Sequence, residues 1–425
     1  MSIAGRRIFC LLACFWMTAA AAAEPSPVFS ARAKALALVM KGETPPERLF
    51  SPAFLAEVPS ERVRAIAAQL KASYGPVRET IRIEPAGATG GMVFLSYERA
   101  IVRFQMVVSP QLPNLVEGLR VAGVESMADN AAAVAAELAG LHGDVSLGVA
   151  RLEEPGPAIF LAEKPDRPLA IGSAFKLFVM AELVRSIEAG ERRWSDVVPL
   201  GVPSLPSGLL QDWPKGSPVT LHSLAALMIS RSDNSAADTL LNVLGRDKVE
   251  RLLPELGVRA AERNRPFLQT REAFALKLGD SGLLARWKSA DEAGRRALLP
   301  VLDRVDAATL DPSRLGGRPS EIATVEWFAS PADLVRTLDW IRRHGDRTAL
   351  DLLAINPGLG PNLAKDFAYF GFKGGSEPGV LNLSFLVKTR AGRWLAVSAT
   401  WNDESTPLDE PRFIALISRL MVLMK

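Results

Sequence analysis

The order of strand-like and helical runs is the feature that most restricts the fold of this chain. Strand-like runs of apolar and β-branched residues occur at both ends of the stretch from residue 128 to residue 425, at 145–152, 158–162, 370–375, 381–388 and 393–401. Between them, a helix predicted from about Ser173 to Gly190 and a mostly helical section over 195–355 interrupt the strands. We therefore predict one sheet that is completed by the two halves of this stretch.

A separate domain is predicted before this stretch, over residues 24–127. Helical spacing of apolar residues occurs at 31–40 and 62–74, and strand-like runs follow at 78–84, 92–97 and 101–108. Helices followed by an antiparallel sheet are typical of an α+β domain. The length of 425 residues also favours more than one domain.

Residues 1–23 are predicted to be a secretory signal. Arg6 and Arg7 precede an apolar run over 8–18, and small residues at 21–23 suit cleavage before Glu24. The alternatives are a retained anchor, a lipoprotein site at Cys14 and a twin-arginine signal. We expect export across the inner membrane, a periplasmic protein and no stable membrane span after cleavage.

Composition excludes several classes of function. The formal net charge is +3 and no dense Lys/Arg run occurs, so nucleic acid is not an expected partner. Both cysteines, Cys10 and Cys14, lie in the signal, and the three histidines are far apart in the chain. The mature protein is therefore expected to hold no disulfide, no metal and no other cofactor.

The first candidate site is Ser173, followed three residues later by Lys176 at the start of an apolar helix. This spacing places the amine and the hydroxyl on one face of a helix. A partly desolvated lysine has a lowered pKa and accepts a serine proton. A helix cap beside a surface lysine is the ordinary alternative for a Ser-x-x-Lys motif taken alone.

Two further motifs follow, and each is weak by itself. Ser232-Asp233-Asn234 lies between two apolar helices, where a hydroxyl and an amide suit proton relay, although a capping turn has the same composition. Lys373-Gly374-Gly375-Ser376 precedes an alternating strand. Its lysine suits a substrate carboxylate, and its glycines allow close approach of a substrate backbone, although a glycine-rich kink is the alternative.

Together, the three motifs resemble those of the class A β-lactamases and related penicillin-binding proteins, over roughly residues 130–425. This resemblance implies an antiparallel sheet flanked by helices and an all-helical subdomain, with the third motif on an inner strand. The first domain resembles the cone-shaped, isomerase-like domain of the two-domain proteins associated with clavulanic-acid gene clusters. A scaffold or substrate-shaping module is the simpler interpretation of that domain.

The resemblance also implies roles for individual residues. Ser173 is expected to be the nucleophile, Lys176 its base, and Ser232 a proton relay to the leaving group. The residues expected to bind the substrate are Asn234, Lys373, Gly375 and Ser376, and the N–H groups of Ser173 and Ser376 would form the oxyanion hole.

Two departures from the family pattern limit the functional expectation. A glycine, Gly374, replaces the usual hydroxyl residue after the motif lysine, and Ser376 is expected to replace that hydroxyl in part. No Glu-x-x-Leu-Asn loop occurs between Ser232 and Ser330, so the usual deacylation carboxylate is missing. Glu272 is the nearest candidate, and a solvated glutamate at a helix start is the alternative interpretation.

We expect a serine hydrolase that acts on a small-molecule substrate, a β-lactam or a related acyl compound. A D-alanyl-D-alanine peptidase or an esterase of the same superfamily is the alternative enzyme. A β-lactam-binding or sensor protein that does not turn over is an alternative of another class.

Overall fold

The computed structural model describes residues 25–126, 130–204, 206–306, 310 and 317–425. The predicted signal over 1–23, including both cysteines, lies outside these residues. The chain divides into two compact units, residues 1–128 and 129–425, and each is described separately.

The described part of the first unit is an α+β arrangement with a four-stranded antiparallel sheet in the order β1-β2-β3-β4. Its elements are α1 (Pro27–Lys41), α2 (Pro52–Glu57), α3 (Ser60–Tyr74), β1 (Val77–Pro85), β2 (Gly90–Tyr97), β3 (Ala100–Val108) and β4 (Val116–Ser126). Its core is built by side chains from both the helices and the sheet, among them Phe29, Leu36, Phe50 and Phe104. The sheet has one strand more than the strand-like runs predict. Strand β4 pairs with β3 through two register irregularities, which interrupt the alternation that reveals a strand in sequence.

The second unit contains a five-stranded antiparallel sheet in the order β11-β12-β13-β5-β6. The strands of this unit are β5 (Asp144–Leu152), β6 (Pro157–Glu163), β7 (Leu169–Ala170), β8 (Val197–Pro199), β9 (Pro218–Thr220), β10 (Phe328–Ala329), β11 (Tyr369–Glu377), β12 (Val380–Lys388) and β13 (Trp394–Asn402). Strand β5 pairs with β13, so the two halves of the unit do complete one sheet, as the sequence predicts. Strand β11, which carries the third motif, is an edge strand. The expectation of an inner strand was therefore wrong.

Helices cover both faces of this sheet. The helices of this unit are α4 (Ala131–Ala139), α5 (Lys176–Glu188), α6 (Leu221–Ser230), α7 (Asn234–Leu244), α8 (Arg246–Glu255), α9 (Thr270–Leu278), α10 (Ser281–Ser289), α11 (Glu292–Leu302), α12 (Pro331–His344), α13 (Arg347–Ala354), α14 (Pro361–Ala364) and α15 (Glu410–Leu423). Helices α4 and α15 pack on one face through a core that includes Leu138, Phe413 and Trp401. Helix α12 contacts β5 and β13, and it also packs against α5.

A second core joins α5 to the helical section between the two groups of strands. It includes Phe178 of α5, Leu240 of α7 and Leu276 of α9. This packing holds α5, α7 and α9 together, and these three helices carry or adjoin the candidate site residues. Within the described ranges, no helix is long and apolar enough to cross a membrane.

Candidate active site

Ser173 lies in a short 3-10 turn, Gly172–Phe175, that leads directly into α5. Lys176 is the first residue of that helix. The apolar residues that follow it are buried, because α5 runs through the core of the second unit. The hydroxyl is therefore presented at the entrance of a rigid helix, as the sequence predicts, although in a 3-10 turn rather than within α5.

The amine of Lys176 is surrounded by oxygens from the first two motifs. Its Nζ lies 3.1 Å from Ser173 Oγ and 2.7 Å from Asn234 Oδ1. It also lies 2.7 Å from the carbonyl oxygen of Ser232 and 3.1 Å from Ser232 Oγ. An ammonium group has three protons and cannot donate to all four oxygens at once, whereas a neutral amine can accept one hydrogen bond. The arrangement therefore suits a proton transfer between Ser173 and Lys176.

Burial is the main influence on the protonation of Lys176. Burial, and then repulsion by Lys373, hold the pKa of Lys176 well below its ordinary value, against the opposing attraction of Asp238 and Asp233. Its side chain is fully buried, so water does not stabilise the ammonium form. A neutral lysine beside a serine hydroxyl is able to act as a base.

Ser232 lies in the tight turn between α6 and α7. Its φ is 54°, a left-handed conformation that is uncommon for serine and that accompanies functional turns. Asp233 stabilises the turn: it caps α7 by accepting from Ala236 N and also accepts from Leu209 N at 2.6 Å. Asp233 therefore forms the capping turn that is the alternative interpretation of this motif in sequence. The cap also positions Ser232 beside Lys176.

The third motif places another buried lysine against the same serine. Lys373 Nζ donates to Ser232 Oγ at 3.1 Å and to the carbonyl oxygen of Gly374. Burial lowers the pKa of Lys373 to about 7. Ser232 therefore lies between two lysines, one on α5 and one on β11, which is a geometry suited to passing protons.

Two glycines allow strand β11 to approach the turn that carries Ser173. A Cβ on Gly375 would lie 2.5 Å from Ser173 N and closer still to the carbonyl oxygen of Ile171. Gly172 has a φ of 48°, and a Cβ there would lie 3.2 Å from Ser376 N. Because no side chain separates them, the backbones around Ser173 and Ser376 lie directly against each other.

Two cavities meet at Ser173. The larger, of about 430 Å³, is lined by the motif residues Ser232, Lys373 and Gly375 and is called the groove below. The smaller, of about 100 Å³, is lined by residues that include Asn234, Thr270, Ala273, Phe274, Lys277, Glu326 and Glu377. It is called the acidic cavity below. Ser173, Ser207 and Ser376 line both of them.

Glu272 is not brought together with Ser173. It lies on α9, but its carboxylate binds Arg246 at 2.6 Å and accepts from Gln269 N at 2.7 Å in a capping box. Burial raises its pKa and the Arg246 partner opposes that effect. The face of α9 that lines the acidic cavity is instead formed by Thr270, Ala273, Phe274 and Lys277, at helical spacing.

Sequence reasoning assigned no role to four polar residues of the site. Ser207 Oγ donates to the carbonyl oxygen of Ser232 at 2.9 Å, while Lys277, Glu326 and Glu377 form an ion cluster in the acidic cavity. Of the three residues in the ion cluster, only Glu377 had a usable signal in sequence. It follows the third motif directly and shares strand parity with Lys373 and Gly375, so the three lie on one face of β11.

The composition of the site does not resemble a metal centre. Its donors are lysine amines, hydroxyls, an amide and two carboxylates that bind a lysine. Among the residues that the structure describes, no group of three or more His, Cys, Asp or Glu side chains is placed to hold a metal ion.

The fold and the site define a class of protein: a β-lactamase-like serine hydrolase. The sequence model of the Beta-lactamase2 family, the beta-lactamase enzyme family, matches residues 130–423. The chain belongs to this family, within the superfamily of serine β-lactamases and penicillin-binding proteins. No curated protein matches the chain.

Several solved structures are similar to part of this chain. A beta-lactamase from Sphaerobacter thermophilus is 22% identical, with 69% of this chain and 95% of that chain covered and a TM-score of 0.47. The penicillin-binding protein PBP-A is 14% identical, with 69% and 94% covered and a TM-score of 0.48. An ancestral class A β-lactamase is 16% identical, with 69% and 99% covered and a TM-score of 0.48.

Proposed function

We propose that this protein hydrolyses β-lactams or related acyl compounds through an acyl-enzyme on Ser173, in the manner of a class A β-lactamase. One observation carries the proposal. The fully buried Lys176 lies 3.1 Å from Ser173 Oγ, and the four oxygens in its hydrogen-bonding shell are all neutral. Burial lowers the pKa of this lysine, so it can act as a base for the serine that lines the groove.

In the proposed reaction, Ser173 Oγ attacks the acyl carbonyl carbon while its proton passes to Lys176. Ser232 lies within hydrogen-bond distance of both lysines and delivers a proton to the leaving nitrogen or oxygen. The N–H groups of Ser173 and Ser376 bind the oxyanion, which is usually the largest electrostatic contribution in acyl transfer.

Substrate binding in this proposal falls to the other motif residues. Lys373 binds a substrate carboxylate as its ammonium form, with Ser376 as a second donor. Asn234 contacts Lys176 through Oδ1, so it both orients the base and offers its amide to the substrate. Gly375 keeps the edge of β11 open to a substrate backbone.

The test is incubation of the full chain with a chromogenic cephalosporin while colour and intact mass are followed together. We expect a Ser173 adduct and colour that continues beyond one equivalent. The same incubation with Ser173→Ala is the control. Colour release by that variant at the wild-type rate would contradict the proposal.

A second candidate is a D-alanyl-D-alanine peptidase or an esterase of the same superfamily. The observation that favours it is the position of Glu272, whose carboxylate is engaged by Arg246 instead of lining either cavity. A sensor or binding protein is the candidate of another class. Turnover separates them: a single mass adduct without continued colour identifies a protein that stays acylated, and no adduct identifies a non-catalytic binder.

We also propose that the first unit is a cone-like, isomerase-like module that acts as a scaffold or shapes the substrate, and that the protein is exported to the periplasm. The α+β arrangement with its four-stranded sheet supports the first proposal. The residue pattern of 1–23 supports the second. Mass analysis of the protein recovered from the periplasm tests both export and cleavage before Glu24.

A further inference from the structure

Three ionisable side chains lie in the acidic cavity, on the opposite side of Ser173 from the groove. Lys277 of α9 binds Glu326 at 2.7 Å and Glu377 at 2.5 Å. Glu326 precedes β10 and Glu377 ends β11, so three separate elements meet here. The side chains of Lys277 and Glu326 are each 2% exposed, and that of Glu377 is 13% exposed.

Stability alone does not explain this cluster well. Removing three charged groups from water is costly, and buried ion pairs are often no more stable than apolar side chains of the same volume. The cavity that holds them is lined by Ser173 and has a volume of about 100 Å³, which is room for a small number of water molecules. A functional role in the chemistry of Ser173 is therefore the stronger interpretation.

The alternation of side chains along β11 directs one of these carboxylates toward the reacting serine. Lys373, Gly375 and Glu377 are alternate residues, so they lie on one face of the strand. The Gly375 position lies against Ser173 N, and Lys373 reaches Ser232 on the groove side. Glu377 therefore lies on the other side of Ser173 from Lys373, with the close approach at Gly375 between them.

We propose that Glu377 is the general base that activates the water for hydrolysis of the acyl-enzyme, with Lys277 and Glu326 as the positioning residues that hold its carboxylate in the acidic cavity. This inference rests on the proposed function, because it concerns the second half of the same reaction. It gives the chain a deacylation carboxylate on an element other than the helix that carries Glu272.

A water oxygen attacks the carbonyl carbon of the Ser173 ester and gives one proton to Glu377. The oxyanion of the tetrahedral intermediate is bound by the N–H groups of Ser173 and Ser376. The bond between the acyl carbon and Ser173 Oγ then breaks, Oγ takes the proton back from Glu377, and the carboxylic acid leaves. One water is consumed and both residues return to their starting forms.

The groups that surround Glu377 raise its pKa, which suits a general base that must take up a proton and later release it. Burial and the nearby Glu326 raise the pKa of Glu377 well above its ordinary value, and Lys277 opposes them. The titratable side chains that line this cavity are Lys277, Glu326 and Glu377. Because a base must be ionised to act, the deacylation rate is expected to rise with pH, over a range above that of an ordinary glutamate.

The experiment is rapid-quench intact-mass analysis of the full chain with a chromogenic cephalosporin, comparing wild type with Glu377→Gln. We expect acylation within threefold of wild type and deacylation slowed about 100-fold or more, so that the adduct accumulates. Glu250→Gln is the matched control: Glu250 is also a buried glutamate, paired with Arg296, but it lies in neither cavity. Deacylation by Glu377→Gln within threefold of wild type would overturn the inference.

A second variant keeps the test decisive if Glu377→Gln does not fold. In Glu326→Gln the neighbouring negative charge is lost, so the pKa of Glu377 falls and the rising limb of the deacylation profile moves to lower pH. A purely structural cluster would leave that limb in place and overturn the inference. A wild-type protein that is acylated but never releases the adduct overturns it too. A wild-type protein without any adduct instead overturns the proposed function on which it rests.

Discussion

The two sides of Ser173 present buried lysines whose pKa values are shifted in opposite directions. On the groove side, Lys176 and Lys373 are buried among neutral hydrogen-bond acceptors, and burial lowers the pKa of both, that of Lys373 to about 7. On the side of the acidic cavity, burial also disfavours the charge of Lys277. There, Glu326 and Glu377 outweigh burial and raise the pKa of that lysine.

This difference shows that burial alone does not decide what a lysine can do. A buried lysine with neutral partners releases its proton easily and can act as a base. A buried lysine between two carboxylates keeps its proton and acts as a fixed cation. Ser173 lies between one environment of each kind, which suits a nucleophile that must first be deprotonated and whose acyl ester must later be hydrolysed by water.

The largest effect is expected from Ser173→Ala, because the residues of the groove and those of the acidic cavity both act on this hydroxyl. Acylation by a chromogenic cephalosporin should fall by about 10⁴-fold or more, measured by intact mass and colour release. Ser289→Ala, an exposed serine at the end of α10, is the control and should retain full activity. An adduct that forms on Ser173→Ala at the wild-type rate would show that Ser173 is not the nucleophile.

Lys176→Ala is expected to slow acylation by about 10³-fold, since the serine loses its base. Stopped-flow measurement of the first turnover gives this rate directly. Replacement of the exposed Lys215 by alanine removes one positive charge without touching the site and should change the rate by less than twofold. Equal rates for the two variants would show that the neutral lysine on the groove side is not the base.

Gly375→Ala is expected to disturb both the groove and the acidic cavity, because Gly375 lies between them. The added Cβ would lie 2.5 Å from Ser173 N, so β11 or the turn must move. We expect a loss of about 1–3 kcal/mol in the free energy of unfolding, measured by urea denaturation, and a loss of about 100-fold in kcat/KM. Gly156→Ala, where a Cβ meets nothing within 4 Å, should be close to neutral in both measurements.

The pH dependence of kcat/KM tests the lowered pKa of Lys373. Lys373 has a pKa of about 7, so its ammonium form is present below that pH and is lost above it. For a substrate that carries a carboxylate, kcat/KM should therefore fall above pH 7, by about tenfold if a single charge–charge contact is lost. In Lys373→Met, kcat/KM should be lower than in wild type at acidic pH and should not fall above pH 7. A fall that persists in the variant would assign it to another group.

The smallest effect on activity is expected from Glu272→Gln. Its carboxylate binds Arg246 and a backbone N–H rather than either cavity, so kcat should stay within about threefold of wild type. Its free energy of unfolding should fall by about 3 kcal/mol, since a buried pair loses one partner. A selective block of deacylation in this variant would show that the carboxylate acts on Ser173 after all.

Much of the site could be predicted from sequence, because its motifs are local. Ser173 and Lys176 are three residues apart at a helix start, and Ser232 and Asn234 flank a single capping residue. Local spacing of this kind decides which side chains share a face. The structure then brings these motifs together around Lys176 Nζ.

The acidic cavity could not be predicted in the same way. Lys277 lies 49 residues from Glu326 and 100 residues from Glu377, and no periodicity joins them. Position in the chain suggested Glu272 as the candidate deacylation carboxylate, and the structure places it on a different face of α9 from Lys277. The edge position of β11 was also missed, since the order of strands in a sheet depends on pairing across the whole unit.

The sequence by itself determined most of the helices and strands, the two halves of the main sheet and the three motifs, because turns, caps and apolar periodicity act between neighbouring residues. Only the tertiary structure decided the chemical state of each buried lysine. A pKa depends on the charges and the water that surround a group in space. Those surroundings come from elements as far apart in the chain as α5, α9 and β11.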